Sequence, residues 1–268
     1  MPANKTKPLG VETAAPKPRW KLEQHRGLYV DVEMFANLSR TWGFYEQDVI
    51  KIERQRMICC FAWQFLDERK VGWLGLPSFP GYAKDRFNAK PLLAALHKLV
   101  SQASFIVGHN MKRYDLRRMN TDFLIAGLPP APPLRVVDTL EFARFKFDFN
   151  SNRLKDLCEL LDVPHKRDAG GYETWDRCEK GDPAAWKKME YYNRGDVISG
   201  MGVYKKERPW MTRHPNMSLE KMVCPVCQCK DIIFRGSVTG YRSSFRYSCK
   251  DCGKWSTGKI IKGEWRIA

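Results

Sequence analysis

Asp31 and Glu33 stand one residue apart in GLYVDVEMFA, residues 27–36, at the end of an apolar run. A strand sends alternate side chains to the same face, so the two carboxylates would point together. Side by side they repel unless a cation lies between them. The spacing also fits a strand running out into a polar loop, and the pair alone leaves both readings open. Asp115 closes GHNMKRYD, at the start of a helical pattern that follows the short apolar run SFIVGHN. Asp196 lies in YYNRGDV, four residues after Tyr192. An i, i+4 pair shares one helical face, so Tyr192 and Asp196 can address one point. Four carboxylates are hard oxygen donors of the kind Mg²⁺ prefers.

A second group of chemically capable residues is sulfur. Of nine cysteines, five crowd into the last 45 residues. Cys224-x-x-Cys227 and Cys249-x-x-Cys252 flank residues 228–248, the spacing of a structural zinc ribbon. So short a segment has little core, and one Zn²⁺ would supply much of its folding energy. Disulfides are the alternative and belong to an oxidising compartment. Cys229 is a fifth thiol for which a tetrahedral ion has no place, although it could replace Cys227 in a different ligand set. Cys59, Cys60, Cys158 and Cys178 read as buried thiols. Between the ribbon's pairs, Phe234, Arg235, Tyr241, Arg242, Phe245, Arg246 and Tyr247 interleave cations with rings. That composition holds single strands by stacking and phosphate contact. It equally makes a small aromatic core with solvated arginines, and alternating strands allow both.

The elements that must carry these residues follow from periodicity. LYVDVE reads as a buried strand, and TWGFYEQ, MICCFAWQFL and KVGWLGL as members of a meander beside it. NAKPLLAALHKLVSQA has helical spacing with Asn88 as a cap. NMKRYDLRRMNTDFLIAGL is helical up to Gly127, LRVVDTLEFAR is a strand entering a helix, and NRLKDLCELLDV is an amphipathic helix. GGYETWDRCEKG is expected to be a loop. DPAAWKKMEYYNRGDVISGMGVYKKE is a long helix with Asp182 as cap and Pro183 first in the helix. The pattern predicts an α/β fold, a mixed sheet flanked by helices, with a small C-terminal domain. The expected divisions are a basic tail over 1–20, a large domain over 21–208, a linker over 209–218 and a zinc ribbon over 219–268.

Lysine and arginine total 46 against 30 acids, a formal charge of +16. That excess suits a polyanion, nucleic acid first and an anionic membrane surface second. No run of 18 apolar residues predicts a membrane span, and no signal-like apolar core opens the chain, so a cytoplasmic protein is expected.

The order of the acids resembles the DnaQ-like 3′–5′ exonucleases, the DEDD superfamily. Its first motif matches Asp31-Val32-Glu33, its second Asn110 to Asp115, and its third Tyr192-Asn193-Arg194-Gly195-Asp196. The tyrosine form of the third motif is that of the DEDDy branch, and the likeness extends over about residues 27–205. It implies a ribonuclease H-like fold and removal of nucleotides from a 3′ end, single-stranded DNA foremost. It implies two Mg²⁺ or Mn²⁺ ions, with Asp31 bridging them. Glu33 and Asp196 would hold the ion that activates water, Asp115 would support the second through water, and Tyr192 would orient the attacking water. His109 is a candidate contact for the terminal nucleotide, Asn110 a candidate helix cap or substrate contact, and Asp138 a support for Asp31 or for the helix of Asp115. Tyr191 is expected to pack on the sheet. The compact form resembles stand-alone nucleases of bacteriophages and bacteria, and without a polymerase motif any proofreading partnership with a polymerase or replisome would be in trans. Action on RNA, structure-selective endonuclease cleavage, and a catalytically silent nucleic-acid-binding module remain the alternatives.

Overall fold

The structure, a computed structural model, describes residues 26–45, 47–217, 222–238, 244–261 and 264–267. The expected tail, Tyr241 and Arg242 lie outside the described residues. Strand β1 (Gly27–Phe35) is followed by a short hairpin, β2 (Leu38–Arg40) and β3 (Lys51–Arg54), which pair with each other. The described residues of TWGFYEQ, expected in the meander, are no strand but lie mostly exposed in the connection between β2 and β3. Then come β4 (Met57–Phe65), β5 (Gly72–Gly75), helix α1 (Lys90–Val100), β6 (Phe105–Gly108), α2 (Asp115–Ile125), β7 (Arg135–Asp138) and α3 (Thr139–Lys146). Helices α4 (Leu154–Leu160), α5 (Glu173–Glu179) and α6 (Pro183–Glu207) complete this part.

The main sheet has the order β5-β4-β1-β6-β7. β1 runs antiparallel to β4 and parallel to β6, and β6 runs parallel to β7. Leu28, Val30 and Val32 of β1 turn to one face and join Leu92 and Leu96 of α1 and Met119 and Phe123 of α2 in the main core. Tyr29, Asp31 and Glu33 turn to the other face, as strand alternation requires. That second face is crossed by α6.

Helix α6 starts where Asp182 accepts the amides of Ala184 and Ala185 at 2.8 and 3.4 Å, with Pro183 opening its first turn. Its distance from β1 is set by Gly200, where a Cβ would stand 1.8 Å from the Tyr29 hydroxyl. Only the absence of a side chain lets the helix lie so close. At α1 the cap position belongs to Ala89 rather than to the expected Asn88, which stands one residue earlier and whose Oδ1 accepts the amide of Lys90 at 3.2 Å.

GGYETWDRCEKG is not all loop. Gly170 and Gly171 take φ of 74° and 71°, and α5 begins two residues later. Thr174 and Cys178, one turn apart, are buried on its inner face. Seven residues are too few for periodicity to announce a helix, so packing against α6 decides it.

The C-terminal part is an antiparallel sheet, β11-β10-β9-β8, built from β8 (Ile232–Val238), β9 (Ser244–Cys249), β10 (Trp255–Ile261) and β11 (Glu264–Ile267). Residues 211–217, inside the segment expected as linker, are seated rather than free. Met211 and Met217 join the core around Tyr29, Phe105 and Tyr204. His214 Nε2 lies 2.6 Å from the Tyr204 hydroxyl, and Lys254 Nζ donates to the Met211 carbonyl at 2.6 Å.

Candidate active site

Parallel pairing of β1 with β6 stops at Tyr29↔Val107, two residues before Asp31. β6 and β7 end level with each other at Gly108↔Asp138. The C-terminal half of β1 therefore has a neighbour on one side only, and a crevice opens beyond the strand ends, the usual place for a ligand in such sheets. It forms a cleft of about 620 Å³. Asp31, Glu33, Asp115, Tyr192 and Asp196 all line it, as do His109 and Asn110.

The carboxylate oxygens of Asp31, Glu33 and Asp196 lie within 4.8 Å of one another. Asp196 is buried, and its Oδ1 has no hydrogen-bond partner. Asp31 Oδ2 accepts from Asn193 Nδ2 at 2.7 Å, and Asp196 Oδ2 pairs with Lys166 Nζ at 2.9 Å. Asp115 stands outside the trio, buried, with Oδ1 accepting the Val32 amide at 3.2 Å. It thus binds the strand between the two acids of the first motif.

Burial holds the Asp31 carboxyl well above the usual carboxylate range, and Asp115, Asp196 and Glu33 add their repulsion. Glu33 is pushed up to about 8 by burial and then by Asp196. Asp115 is pushed up to about 7, chiefly by burial. Burial raises Asp196 as well, against the pull of Lys166. A set of acids that resists ionisation, with one ammonium beside it and a bare buried oxygen, fits a divalent cation: its charge removes the repulsion and its coordination satisfies the oxygen.

Burial also raises Tyr192 above its ordinary range, and Glu33 and Asp196 raise it further. The phenol keeps its proton and can only donate or accept a hydrogen bond. Trp175 of α5 packs edge-on against its ring at 5.7 Å between centroids.

His109 does not reach into the cleft as a free base. Its Nε2 lies 3.0 Å from the Asn152 carbonyl and its Nδ1 2.9 Å from the Thr139 hydroxyl. A carbonyl only accepts, so Nε2 carries the proton, and burial lowers the ring's basicity. Asn110 is not the cap of α2, a position held by Tyr114; its backbone is left-handed at φ 65°, a conformation asparagine tolerates. Asp138 lies away from the trio. Its Oδ1 takes the amides of Asn110, Leu140 and Glu141, and its Oδ2 that of Lys112, all at 3.0–3.2 Å. It fixes the loop leading to Asp115. Tyr191 does not pack on the sheet: it is exposed, with the Arg167 guanidinium 3.8 Å over its ring.

Lys166 and Trp175, which line the cleft, and Asn193, which holds Asp31 from behind it, are among the residues that sequence reasoning passed over. Asn193 precedes Asp196 by three, a same-face spacing that would have found it. Lys166 and Trp175 come from the segment between α4 and α6, where no periodicity points to the cleft.

At the C-terminal sheet, the sulfurs of Cys224, Cys227, Cys249 and Cys252 lie within 4.8 Å of one another. Cys224–Cys252 is 3.7 Å and Cys227–Cys249 3.5 Å. Tetrahedral zinc with bonds near 2.3 Å separates its sulfurs by about 3.8 Å, so the set fits that ion and is far too open for disulfides. Cys229 is not in the group; its sulfur accepts the Asp231 amide at 3.3 Å. Phe234 contacts Phe245 and Tyr247, but it is itself exposed and only Tyr247 is buried, so the rings form a cluster rather than the small core given as one alternative. Arg235 Nε donates to Ser248 Oγ at 2.9 Å, and Arg246 is exposed beside a cleft shared with His214 and Lys254.

A family model described as the RNase_H superfamily matches residues 48–207, more than half of the chain, beginning after β1. No curated protein matches the chain. Among solved structures it is similar to the family B DNA polymerase from the hyperthermophilic archaeon Pyrobaculum calidifontis, at 18% identity and a TM-score of 0.50. The alignment covers 75% of this chain and 26% of that one, and such a likeness speaks for the fold. The sheet order and flanking helices are accordingly those of a ribonuclease H-like α/β fold. Among the described residues no helix is long and apolar enough to cross a membrane.

Proposed function

The chain belongs to the RNase_H superfamily, and from that premise we propose that it is a 3′–5′ exonuclease of the DEDDy kind, acting foremost on single-stranded DNA. The observation that carries the reading is the convergence of Asp31, Glu33 and Asp196 within 4.8 Å at a cleft that Tyr192 also lines.

Asp31, Glu33 and Asp196, with Asp115 behind them, would hold two Mg²⁺ or Mn²⁺ ions. Such ions lower the pKa of the attacking water and neutralise charge on the phosphate. The chain's own groups do the positioning. Asn193 fixes one oxygen of Asp31. Lys166 holds one oxygen of Asp196. Tyr192, kept protonated, serves to orient the water rather than to take its proton. The water oxygen bonds to phosphorus as the bond to the 3′ oxygen breaks. That oxygen ends as the hydroxyl of the shortened strand, and a nucleoside 5′-monophosphate leaves.

The four-cysteine cluster is read as one structural Zn²⁺, and the sheet around it, with Arg235, Arg242 and Arg246, as a handle for the strand. The test uses 5′-labelled DNA and RNA, single- and double-stranded, with Mg²⁺, Mn²⁺ or EDTA. A ladder shortening from the 3′ end of single-stranded DNA supports the proposal. Internal cuts indicate an endonuclease, preferred cleavage of RNA an exoribonuclease, and binding without cleavage a silent module.

A further inference from the structure

Next to the acidic cleft is a smaller cavity of about 220 Å³, lined by Arg56, Arg113, Tyr114, Arg117, Arg118 and Thr121. The two share walls: Met34, Arg56 and Tyr114 line both. Four guanidinium groups around so small a space repel one another. One acid, Asp122, answers them. It is buried and pairs with Arg118, while its other oxygen accepts the Ile58 amide at 2.9 Å. Arg118 is thereby fixed to the start of β4.

Arg118 is only 8% exposed, and its Nε has no hydrogen-bond partner. A buried cationic N–H without an acceptor is costly, and it leaves the Arg118 charge answered, among the described residues, by Asp122 alone. Arg56, Arg113 and Arg117 are exposed, and none has a side-chain partner among the described residues. The cavity therefore offers a fixed guanidinium at its floor and three free ones around it. Guanidinium forks match the geometry of phosphate oxygens. Tyr114, half exposed on the shared wall, presents a ring on which a base can stack.

We propose that this cavity is a phosphate subsite for the strand whose 3′ end lies in the acidic cleft, an inference that rests on the nuclease reading above. A strand entering by its 3′ end has chain only on the 5′ side of the bond to be cut. The phosphate held here is accordingly an internucleotide phosphate on that side. The arrangement divides the labour: carboxylates repel a bare phosphate until cations are present, while arginines hold the neighbouring one without them.

The test is a binding cycle with the full chain in EDTA, followed by fluorescence anisotropy. The probes are single-stranded DNA oligonucleotides in which one internucleotide phosphate at a time, counted from the 3′ end, is a neutral methylphosphonate. Wild type should lose about tenfold in affinity at one or two adjacent positions and little elsewhere. Arg113→Ala/Arg117→Ala, both exposed and so compatible with folding, should lose a similar factor on the unmodified strand. At the sensitive position the two losses should not add. The variant's salt slope should also be shallower, by about 0.7 for each phosphate that the arginines no longer neutralise. Losses that add at every position, or a variant that binds as wild type does, overturn the subsite. The nuclease reading is tested separately, by wild-type cleavage of the unmodified strand with Mn²⁺, so either idea can fail alone.

Discussion

The acid cluster and the cysteine cluster assemble candidate ligands in opposite ways. Asp31, Glu33 and Asp196 come from a central strand and a long helix far apart in the chain, and they are brought together against their mutual repulsion. The sheet, Gly200 and the amide of Val32 hold them there. The four cysteines come from two turns of one small sheet, with little besides Val226 and Ile232 packed around them. In the first region the fold holds the ligands; in the second the ligands hold the fold. Removing a ligand should therefore relieve strain in one and dissolve structure in the other.

The largest expected effect is in the ribbon. Structural zinc sites of this type contribute on the order of 10 kcal/mol. Elemental analysis should find one zinc in wild type, and Cys224→Ser/Cys252→Ser should lose it. Amides of β8 to β10 should lose protection from hydrogen exchange, while those of β1, β4 and α6 keep theirs. Equal protection throughout would break the contrast.

Tyr192→Phe comes next. If its hydroxyl orients the water as proposed, single-turnover cleavage should slow about 10²–10⁴-fold, while Mn²⁺ binding is unchanged. An unchanged rate with chemistry limiting would transfer the role elsewhere.

Glu33→Gln sharpens the comparison from the acid side. At pH 7 the folded chain must hold Glu33 protonated where the unfolded chain leaves it ionised, a cost that glutamine escapes, so in EDTA the variant should melt higher, by about 2–4 °C if the relief is about 1 kcal/mol. With Mg²⁺ the order should narrow or reverse, because a ligand is missing. A lower melting point in EDTA would mean that the trio is not strained.

The smallest effect lies at the seam between the regions. Burial pushes His214 down to about 4. The folded state thus refuses a proton that the unfolded chain takes near pH 6.5. Stability is full above that pH and falls as pH drops from about 6.5 towards 4. His214→Phe should flatten that limb in thermal melts, and an unaltered slope would assign it to other groups.

The same contrast explains what the sequence disclosed. Cysteine pairs are local spacings, and the structure joins the four that were read, leaving Cys229 aside. Asp31 with Glu33, and Tyr192 with Asp196, are also local, one by strand alternation and one by helical phase, so each half of the acid site was legible. Their meeting came only through the resemblance and from neither spacing, because it depends on α6 crossing the polar face of β1. Lys166 and Trp175 escaped because tertiary packing alone brings their segment to the cleft. Helix α5 escaped because two glycines and a seven-residue length mask it, and the arginines around Arg118 because they are dispersed over the base of a hairpin and the start of a helix.

The most direct test of the central claim is single-turnover cleavage of 5′-labelled single-stranded DNA by Asp31→Ala, with circular dichroism showing that the variant is folded. The acid at the centre of the trio should be needed for chemistry and not for holding the strand. The rate should fall by roughly 10³-fold or more, the loss of several kcal/mol of transition-state stabilisation, with DNA affinity in EDTA within a few-fold of wild type. A folded Asp31→Ala protein that degrades the strand at the wild-type rate would contradict it.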